Sequence, residues 1–230
     1  MKYNLGEIFS NFQVGLSFDN AVPYGSGHIN DTFAVTCGKG DDTCRYILQR
    51  VNHNVFKRPD RLLENISRVT THIRNKLEGL GFKDIDRRVL TLIPSKEGLD
   101  YYVDPDGNYW RLYVFVEGAK TYDVMENLDQ AYQAARTIGG FQKMLVDFPE
   151  PQLHDTIPDF HNGHKRFEAF LQALDADAYN RANDAGAEIV FLKDHAWIFD
   201  ILPKLVEEGK VPVRITHNDT KINNVMIDDR

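Results

Sequence analysis

The spacing of apolar residues changes near residue 118, and this change limits the possible folds more than any other feature of the chain. Five short runs before it have the alternation and the β-branched or aromatic content of strands. They lie at residues 33–37, 44–51, 89–93, 99–103 and 109–116. One stretch among them, from Leu62 to Leu77, has apolar residues at steps of three and four and predicts a helix.

The helical period dominates after residue 118. Apolar stripes at helical spacing begin at Leu128, Phe167 and Trp197. Short β-like runs return at residues 211–215 and 225–227. The order of elements is therefore a sheet first, then helices, and then a brief return to extended structure.

These patterns predict an α+β protein with two lobes. A mostly antiparallel sheet with one long helix would form the N-terminal lobe, residues 1–118. A mainly helical C-terminal lobe would take residues 119–230, with a hinge near Glu117 and Gly118. A cleft between two lobes is a common place for a ligand, and we expect the functional site there.

Composition excludes several classes of protein. The chain has 230 residues and a formal net charge of −7, and no basic run is present, so nucleic acid is not expected as the main partner. No run approaches the roughly 18 apolar residues of a membrane helix, and the N-terminus lacks the features of a secretory signal. A cytoplasmic protein is expected. In that compartment Cys37 and Cys44, which flank a predicted hairpin loop, favour reduced thiols over a disulfide.

A cluster of polar residues lies between two β-like runs near the end of the sequence. Its spacing is His217-x-Asp219-x-Lys221-x-x-Asn224. A carboxylate can orient and deprotonate an attacking hydroxyl, a lysine can balance charge on a phosphoryl group, and an amide oxygen suits Mg²⁺. The spacing matches the catalytic loop of protein kinases. A surface turn rich in Asn and Asp is the ordinary alternative.

A second candidate segment, YGSGHINDTF at residues 24–33, precedes the first predicted strand pair. Glycines allow backbone N–H groups to approach anionic oxygens without a Cβ clash. The predicted phosphate-contacting residues are Gly25, Ser26, Gly27 and His28. Asn30 stands where protein kinases have a third glycine, and a plain tight turn would also explain the pattern.

Taken together, the sequence resembles the N-terminal two-thirds of a member of the aminoglycoside phosphotransferase superfamily, and most narrowly the N-acetylhexosamine 1-kinases. The segments that carry the resemblance are YGSGHINDTF (24–33), YILQRVN (46–52), YWRLYVFVEG (109–118), TIPDFHN (156–162) and THNDTKINNV (216–225). The resemblance implies a protein-kinase-like two-lobe fold. It also implies ATP- and Mg²⁺-dependent phosphorylation of the anomeric hydroxyl of N-acetylglucosamine or N-acetylgalactosamine.

The resemblance assigns roles residue by residue. Asp219 would be the catalytic base, Lys221 a phosphate contact and Asn224 a Mg²⁺ ligand. The backbone of residues 115–118, including Val116 and Glu117, would meet the adenine ring of ATP. The expected partners are a nucleotide and a small sugar, with no nucleic acid and no membrane.

The sequence departs from the family pattern at the strand that normally carries a phosphate-binding lysine. Gln49 and Arg50 occupy that place, and only one of them can face the cleft because side chains alternate along a strand. Glu64 is a candidate for the helix glutamate that usually accompanies the lysine. His161 could contact sugar or serve as a helix cap or core residue.

Four aromatic residues of the first half allow two interpretations. Tyr101, Tyr102, Tyr109 and Trp110 could stack on a sugar, or they could be ordinary cross-strand packing in the sheet.

A second acidic metal ligand follows the catalytic loop in the family. Asp228 and Asp229 are too close to Asn224 for that role. These 230 residues alone are therefore predicted to transfer phosphate poorly or not at all.

Three rival functions accompany the sugar-kinase hypothesis. One is a nucleotide-binding module without chemistry, and another is a kinase for choline or an aminoglycoside. The third is a metal hydrolase that uses His217 and Asp219 as ligands. The sequence does not distinguish the acceptor.

Overall fold

An antiparallel sheet forms in the first half of the chain in the computed structural model, which describes residues 3–27, 29–149 and 151–228. The strands are β1 (Phe18–Pro23), β2 (Asp31–Cys37), β3 (Cys44–Val51), β4 (Leu92–Ile93), β5 (Tyr102–Val103), β6 (Tyr109–Val114), β7 (Ala119–Lys120) and β8 (Ile227–Asp228). The helices are α1 (Leu5–Phe9), α2 (Pro59–Gly79), α3 (Leu128–Met144), α4 (Gly163–Ala176), α5 (Gly186–Asp194) and α6 (Ile198–Glu207). The predicted α+β class is confirmed.

The strand order in the main sheet is β1-β2-β3-β6-β4, with β5 also paired to β6, and every pairing is antiparallel. Gln49 of β3 lies directly opposite Arg111 of β6 in this register. Side chains alternate between the two faces of a strand. The register therefore places Thr32, Gln49 and Arg111 on one face of the three central strands, and their sequence neighbours on the other.

The core of the sheet lies on the face that the short helix α1 covers. Leu5, Ile8 and Phe9 of α1 are buried against it. The buried strand residues of this core are Ala21, Val35, Cys37, Leu48, Trp110 and Leu112. Asn4 is the N-cap of α1, and its side-chain oxygen accepts a hydrogen bond from the Glu7 amide.

The structure corrects two aspects of the sequence-based assignment. Strand β1 and helices α1 and α5 were not predicted, and the run at 211–215 is not a strand. Pro212 interrupts that run and removes a backbone donor, which disfavours a ladder. The predicted stripe of α3 is helical, but Leu128 at its start is 89% exposed and Tyr132 is 64% exposed.

The aromatic cluster of the first half is largely ordinary packing. Trp110 is fully buried, and its indole Nε1 donates to a carboxylate oxygen of Asp104 at 2.8 Å. Tyr102 is packed against the core that α1 covers. Trp110 therefore has no surface for stacking on a sugar.

The described chain forms two compact units. One runs to Ile157 and resumes at Asp219, and the other is Pro158–Asn218. In the second unit α4 and α6 pack through Phe167 and Phe199, whose ring centroids are 5.6 Å apart. The predicted lobe boundary at residues 118/119 stays a prediction. No helix among the described residues is both long and apolar enough to cross a membrane.

Candidate active site

The polar segment near the end of the chain is a tight, anchored bend. Asn218 has φ +62°, a left-handed conformation that asparagine tolerates better than most residues. A short 3₁₀ turn, Ile222–Asn224, follows, and Val225 is buried directly after it. The exposed polar residues therefore project from a backbone that is fixed on its C-terminal side.

Asp219 and Asn224 are paired across this bend. The side-chain Nδ2 of Asn224 donates to the Asp219 carboxylate at 2.9 Å and to the Asp219 backbone carbonyl at 2.8 Å. The ammonium of Lys221 lies 3.6 Å from the same carboxylate oxygen. All three side chains are exposed, so a carboxylate, an amide and a cation converge where a small molecule can reach them. His217 is also exposed.

Contacts on the opposite side of the bend join it to β7, to Asp123 after β7 and to Arg87. Asn223 donates from Nδ2 to a carboxylate oxygen of Asp123 at 3.0 Å, while its Oδ1 is buried without a hydrogen-bond partner. Strand β8 pairs with β7, and Asp228 at its end accepts hydrogen bonds from Arg87 at 2.5 and 3.1 Å. Asn223 was not identified from the sequence as part of the site. The adjacent pair Asn223 and Asn224 was the available signal, because neighbouring side chains can point to opposite sides of a bend.

His161 contacts backbone and is not the cap of the helix that follows. Its Nε2 lies 2.8 Å from the carbonyl oxygen of Asn218, within the Pro158–Asn218 unit. Because a carbonyl only accepts, the imidazole must donate from Nε2. The cap of α4 is Asn162, whose side chain accepts from the Lys165 amide. His161 thus holds the residue that precedes Asp219 in sequence.

The glycine-containing segment forms the turn between β1 and β2. The Tyr24 amide donates to the Thr32 carbonyl at 2.9 Å and closes the hairpin. Gly25 has φ +81°, and a Cβ added at Gly25 or Gly27 would meet no atom within 4 Å. The backbone of residues 25–27 is therefore open to an approaching anion, while His28 lies outside the described residues.

Tyr24 places the start of this turn over the end of β6. Its ring lies edge-to-face on Phe115, with centroids 5.3 Å apart. Tyr113 lies two residues before Phe115 and therefore on the same face of the strand, and burial raises the pKa of Tyr113. The face of the sheet beneath the turn is thus the one that carries Tyr113 and Arg111, and α1 covers the other face.

The structure separates the two candidates for the missing strand lysine. Arg50 lies on the face that α1 covers, and its Nε donates to a carboxylate oxygen of Asp31 at 2.7 Å. Tyr3 donates to the same oxygen. Gln49 lies on the opposite face, beneath the turn. Arg50 is thus engaged by Asp31 on the face that α1 covers, whereas Gln49 lies on the face beneath the turn. Which of the two contacts phosphate stays a prediction.

Gln49 joins three adjacent strands. Its Nε2 donates to the Thr32 hydroxyl at 2.7 Å, and its Oε1 accepts from Arg111 Nε at 3.0 Å and Nη2 at 2.7 Å. Arg111 was not identified from the sequence, since only the strand register reveals this pairing. Glu64 does not complete a lysine–glutamate pair, because its carboxylate contacts His154 and Arg68.

Comparison with known proteins decides the family. A family model described as the phosphotransferase enzyme family, APH, matches residues 20–230, which is most of the chain. The chain belongs to this family. The resemblance inferred from the sequence is confirmed at this level, while the narrower likeness to N-acetylhexosamine kinases stays a prediction.

One solved structure resembles this phosphotransferase-family chain at low identity. It is spectinomycin phosphotransferase, APH(9)-Ia, in complex with ADP and spectinomycin, with 17% sequence identity and a TM-score of 0.48. The match covers 98% of this chain and 64% of that protein. The chain thus spans less than two thirds of the length of that protein.

The segment predicted to meet adenine is fixed by two arginines in this family member. Arg45 donates from Nε to the Glu117 carboxylate at 2.8 Å, and this hydrogen bond lowers the pKa of Glu117. Arg87 donates to the Glu117 backbone carbonyl. Gly118 follows with φ +63°. The two arginines therefore hold the side chain and the backbone carbonyl of Glu117, and so fix the path of the chain after Val116.

The donor set at the bend fits Mg²⁺ as a partial site. Mg²⁺ usually takes one or two protein oxygens and completes its shell with water and substrate phosphates. Because Asn224 Nδ2 is committed to Asp219, its Oδ1 is directed away from that pair. No group of three or more His, Cys, Asp or Glu residues in the described part of the chain could hold a metal by itself.

Proposed function

We propose that this chain carries the active-site bend of an ATP- and Mg²⁺-dependent kinase that phosphorylates a hydroxyl group of a small molecule. The observation that carries the proposal is the convergence of Asp219, Lys221 and Asn224 on one exposed, anchored bend. Membership of the phosphotransferase family supports the same reaction class.

The proposed mechanism depends on positioning and electrostatics. Asp219 orients the acceptor hydroxyl and accepts its proton as the hydroxyl oxygen attacks the γ-phosphorus of ATP. The bond between the γ-phosphorus and the bridging oxygen breaks, and ADP leaves with that electron pair. Lys221 balances negative charge on the equatorial oxygens. Mg²⁺, when bound, neutralises charge on the β- and γ-phosphates, and Asn224 Oδ1 would hold it.

The hydrogen bond from Asn224 serves this mechanism in two ways. It restricts the Asp219 carboxylate to one orientation, so that the remaining lone pairs point to a fixed place. It also fixes which end of the Asn224 amide is available to a cation. Both effects depend on the anchoring by Val225 and Asn223, because an unanchored loop would not hold the two side chains together.

The acceptor that we propose is the anomeric hydroxyl of N-acetylglucosamine or N-acetylgalactosamine. The support is the sequence resemblance at residues 24–33, 109–118 and 216–225. Choline and aminoglycosides are the competing acceptors.

The test is a product assay with an acceptor panel. The chain is incubated with ATP, Mg²⁺ and each acceptor, and the phosphorylated product is identified by ³¹P NMR. The 1-O-methyl glycoside of N-acetylglucosamine is the matched control, because its anomeric oxygen is blocked. A low yield of product from the free sugar is expected, because these 230 residues are predicted to transfer phosphate poorly, and no product from the methyl glycoside. Product only from choline or an aminoglycoside would replace the proposed acceptor.

The role of Asp219 is tested with Asp219→Asn, which keeps shape and removes the base. Turnover should fall by about 10² to 10⁴, the usual range for general acid–base catalysis, while ATP affinity changes little. Lys221→Met is the comparison variant and should retain more activity. Equal turnover in wild type and Asp219→Asn would remove Asp219 from the mechanism.

A nucleotide-binding module without chemistry is the second candidate, and one observation favours it. Gln49, a neutral residue, is one of the two residues at the place where the family pattern has a lysine, and its side chain is hydrogen-bonded to Thr32 and Arg111. Calorimetry with ATP and Mg²⁺ distinguishes the two functions. Binding of ATP without product from any acceptor would favour the module.

A further inference from the structure

Arg111 is a cation in an unusual setting. It lies on a central strand of the sheet, partly buried, and its hydrogen bonds go to a single neutral oxygen, Oε1 of Gln49. Within the described ranges no Asp or Glu is paired with it, and burial lowers its pKa. An arginine nevertheless remains charged in proteins. A buried positive charge without a carboxylate is unfavourable unless something else supplies the negative charge.

The other arginines of the sheet have carboxylate partners. Arg50 is paired with Asp31, and Arg45 is paired with Glu117. Arg111 differs from them although it lies between them on the adjoining strand. Among the strand arginines of the described residues, Arg111 therefore stands apart because no carboxylate is paired with it.

The face of the sheet that carries Arg111 lies beneath the turn of residues 24–27. Tyr24 is packed on Phe115, and Tyr113 lies between Phe115 and Arg111 on the same face. The guanidinium of Arg111 is 5.4 Å from the centroid of the Tyr113 ring. A ligand held by the backbone of residues 25–27 would thus approach the sheet near Arg111.

The hydrogen bonds of Gln49 set the orientation of Arg111. Nε and one Nη2 hydrogen are directed to Gln49 Oε1, and Gln49 is held in turn by the Thr32 hydroxyl. A guanidinium has five N–H donors, so three remain for another acceptor. A phosphate group matches this geometry, because its oxygens accept two parallel N–H bonds from one guanidinium.

We propose that Arg111, oriented by Gln49, binds the phosphate chain of the nucleotide in place of the absent strand lysine. This inference rests on the proposed nucleotide-binding function. Gln49 is a positioning residue in this scheme, since it acts through Arg111. The ligand class is a nucleoside di- or triphosphate, and the phosphates supply the negative charge that the described residues around Arg111 do not.

The first test compares AMP, ADP and ATP by calorimetry in wild type and Arg111→Met. In wild type, affinity should increase with the number of phosphates. In the variant, ATP affinity should fall about 10- to 100-fold, the loss expected for hydrogen bonds to a charged group, and AMP affinity less than ATP affinity. Arg50→Met is the matched control, because Arg50 is the neighbouring strand arginine on the other face with its own carboxylate. It should leave the dependence on phosphate number unchanged.

The second measurement is thermal unfolding without nucleotide. Removing a partly buried charge that has no carboxylate partner within the described residues should leave the melting temperature of Arg111→Met equal to or above that of wild type, while the stabilisation by ATP shrinks. A purely structural arginine predicts the opposite, a lower melting temperature and an unchanged ATP shift. That opposite result would overturn the inference.

Gln49→Glu gives an independent test that does not remove Arg111. A carboxylate at this position would pair with the guanidinium, raise the melting temperature of the nucleotide-free protein and weaken ATP binding. Stronger ATP binding in Gln49→Glu would contradict the inference. If wild type and Arg111→Met bind ATP with equal affinity, the inference about Arg111 is wrong and the proposed function is unaffected. If wild type binds no nucleotide, the proposed function is wrong as well.

Discussion

Asn223 donates a hydrogen bond from its side-chain nitrogen to the carboxylate of Asp123, at 3.0 Å, across one hundred residues of sequence. The next residue, Asn224, donates in the same way to Asp219. Two adjacent asparagines therefore fasten the bend on one side and hold a candidate base on the other. Replacing Asn223 should therefore disturb the position of the Asp219 carboxylate, although the hydrogen bond from Asn223 goes to Asp123.

Exchanging donor and acceptor in the Asn223–Asp123 hydrogen bond should change both stability and phosphoryl transfer. Asn223→Asp would set two carboxylates against each other, and we expect a loss of about 1 kcal/mol in the free energy of unfolding and lower phosphoryl transfer. Adding Asp123→Asn restores a donor and an acceptor with the roles exchanged, and should recover most of both losses. Urea unfolding of the four proteins of this double-mutant cycle measures the coupling. A double variant no better than Asn223→Asp would contradict the assignment.

Asn218 should tolerate glycine but not a β-branched residue. Its φ of +62° is open to glycine, whereas the Cβ of other residues clashes with the backbone there. We expect Asn218→Gly to be nearly neutral and Asn218→Val to cost about 1–3 kcal/mol in strain. Thermal unfolding together with turnover checks this. Equal behaviour of the glycine and valine variants would mean that this conformation is not required.

Asp104 gives the fold a defined acid sensitivity. Burial alone would raise the pKa of this carboxyl, but hydrogen bonds from the Trp110 indole, from the amides of Asn108 and Asp106 and from the Asn108 side chain lower it. Because the folded pKa lies below the unfolded value of about 3.9, the carboxylate stabilises the fold above that pH. The stabilisation is lost as pH falls through the folded pKa.

The Asp104 prediction is measured by urea unfolding between pH 3 and pH 7, in roughly one-unit steps, with Trp110 as the fluorescent probe. Asp104→Asn should be less stable than wild type at neutral pH, because its amide cannot accept every one of these hydrogen bonds. The difference should shrink toward acid pH. Asp106→Asn, an exposed neighbour, is the control and should keep the pH profile of wild type. A constant difference for Asp104→Asn across this range would refute the linkage.

The sequence predicts the strands and helices with the clearest periodicity. Strands β2, β3 and β6 are rich in β-branched and aromatic residues, and α2 has an apolar stripe at helical spacing, so all four follow from local pattern. Strand β1 has only one buried residue, Ala21, and α1 is five residues long. Such elements form because the rest of the core is present, and a local pattern cannot reveal them.

The same limit explains the unresolved choice between Gln49 and Arg50. Alternation states that the two side chains point to opposite faces, but the face that becomes the core depends on α1. Arg111 is a still less local feature, because its importance lies in the strand register and in the absence of a carboxylate near it within the described residues. The motif at Asp219, Lys221 and Asn224 could be predicted because its residues lie within six positions of the sequence.

Asn224 should determine how much Mg²⁺ the reaction needs. Chelation of Mg²⁺ is expected to abolish transfer in wild type, since the described residues offer only part of a metal site. Replacing even an outer-shell residue of a metal site commonly weakens metal binding by about 10- to 100-fold, so Asn224→Ala should raise the half-saturating Mg²⁺ concentration at least about tenfold. Turnover at increasing Mg²⁺ measures this.

Lys221→Met separates loss of a metal ligand from loss of charge at the bend. Lys221 lies 3.6 Å from the Asp219 carboxylate but offers no lone pair to a cation at neutral pH. Its replacement should therefore lower turnover at every Mg²⁺ concentration and leave the half-saturating concentration nearly unchanged. If Asn224→Ala had the same Mg²⁺ dependence as Lys221→Met, Asn224 would act only by holding Asp219, and the metal would be bound by other residues.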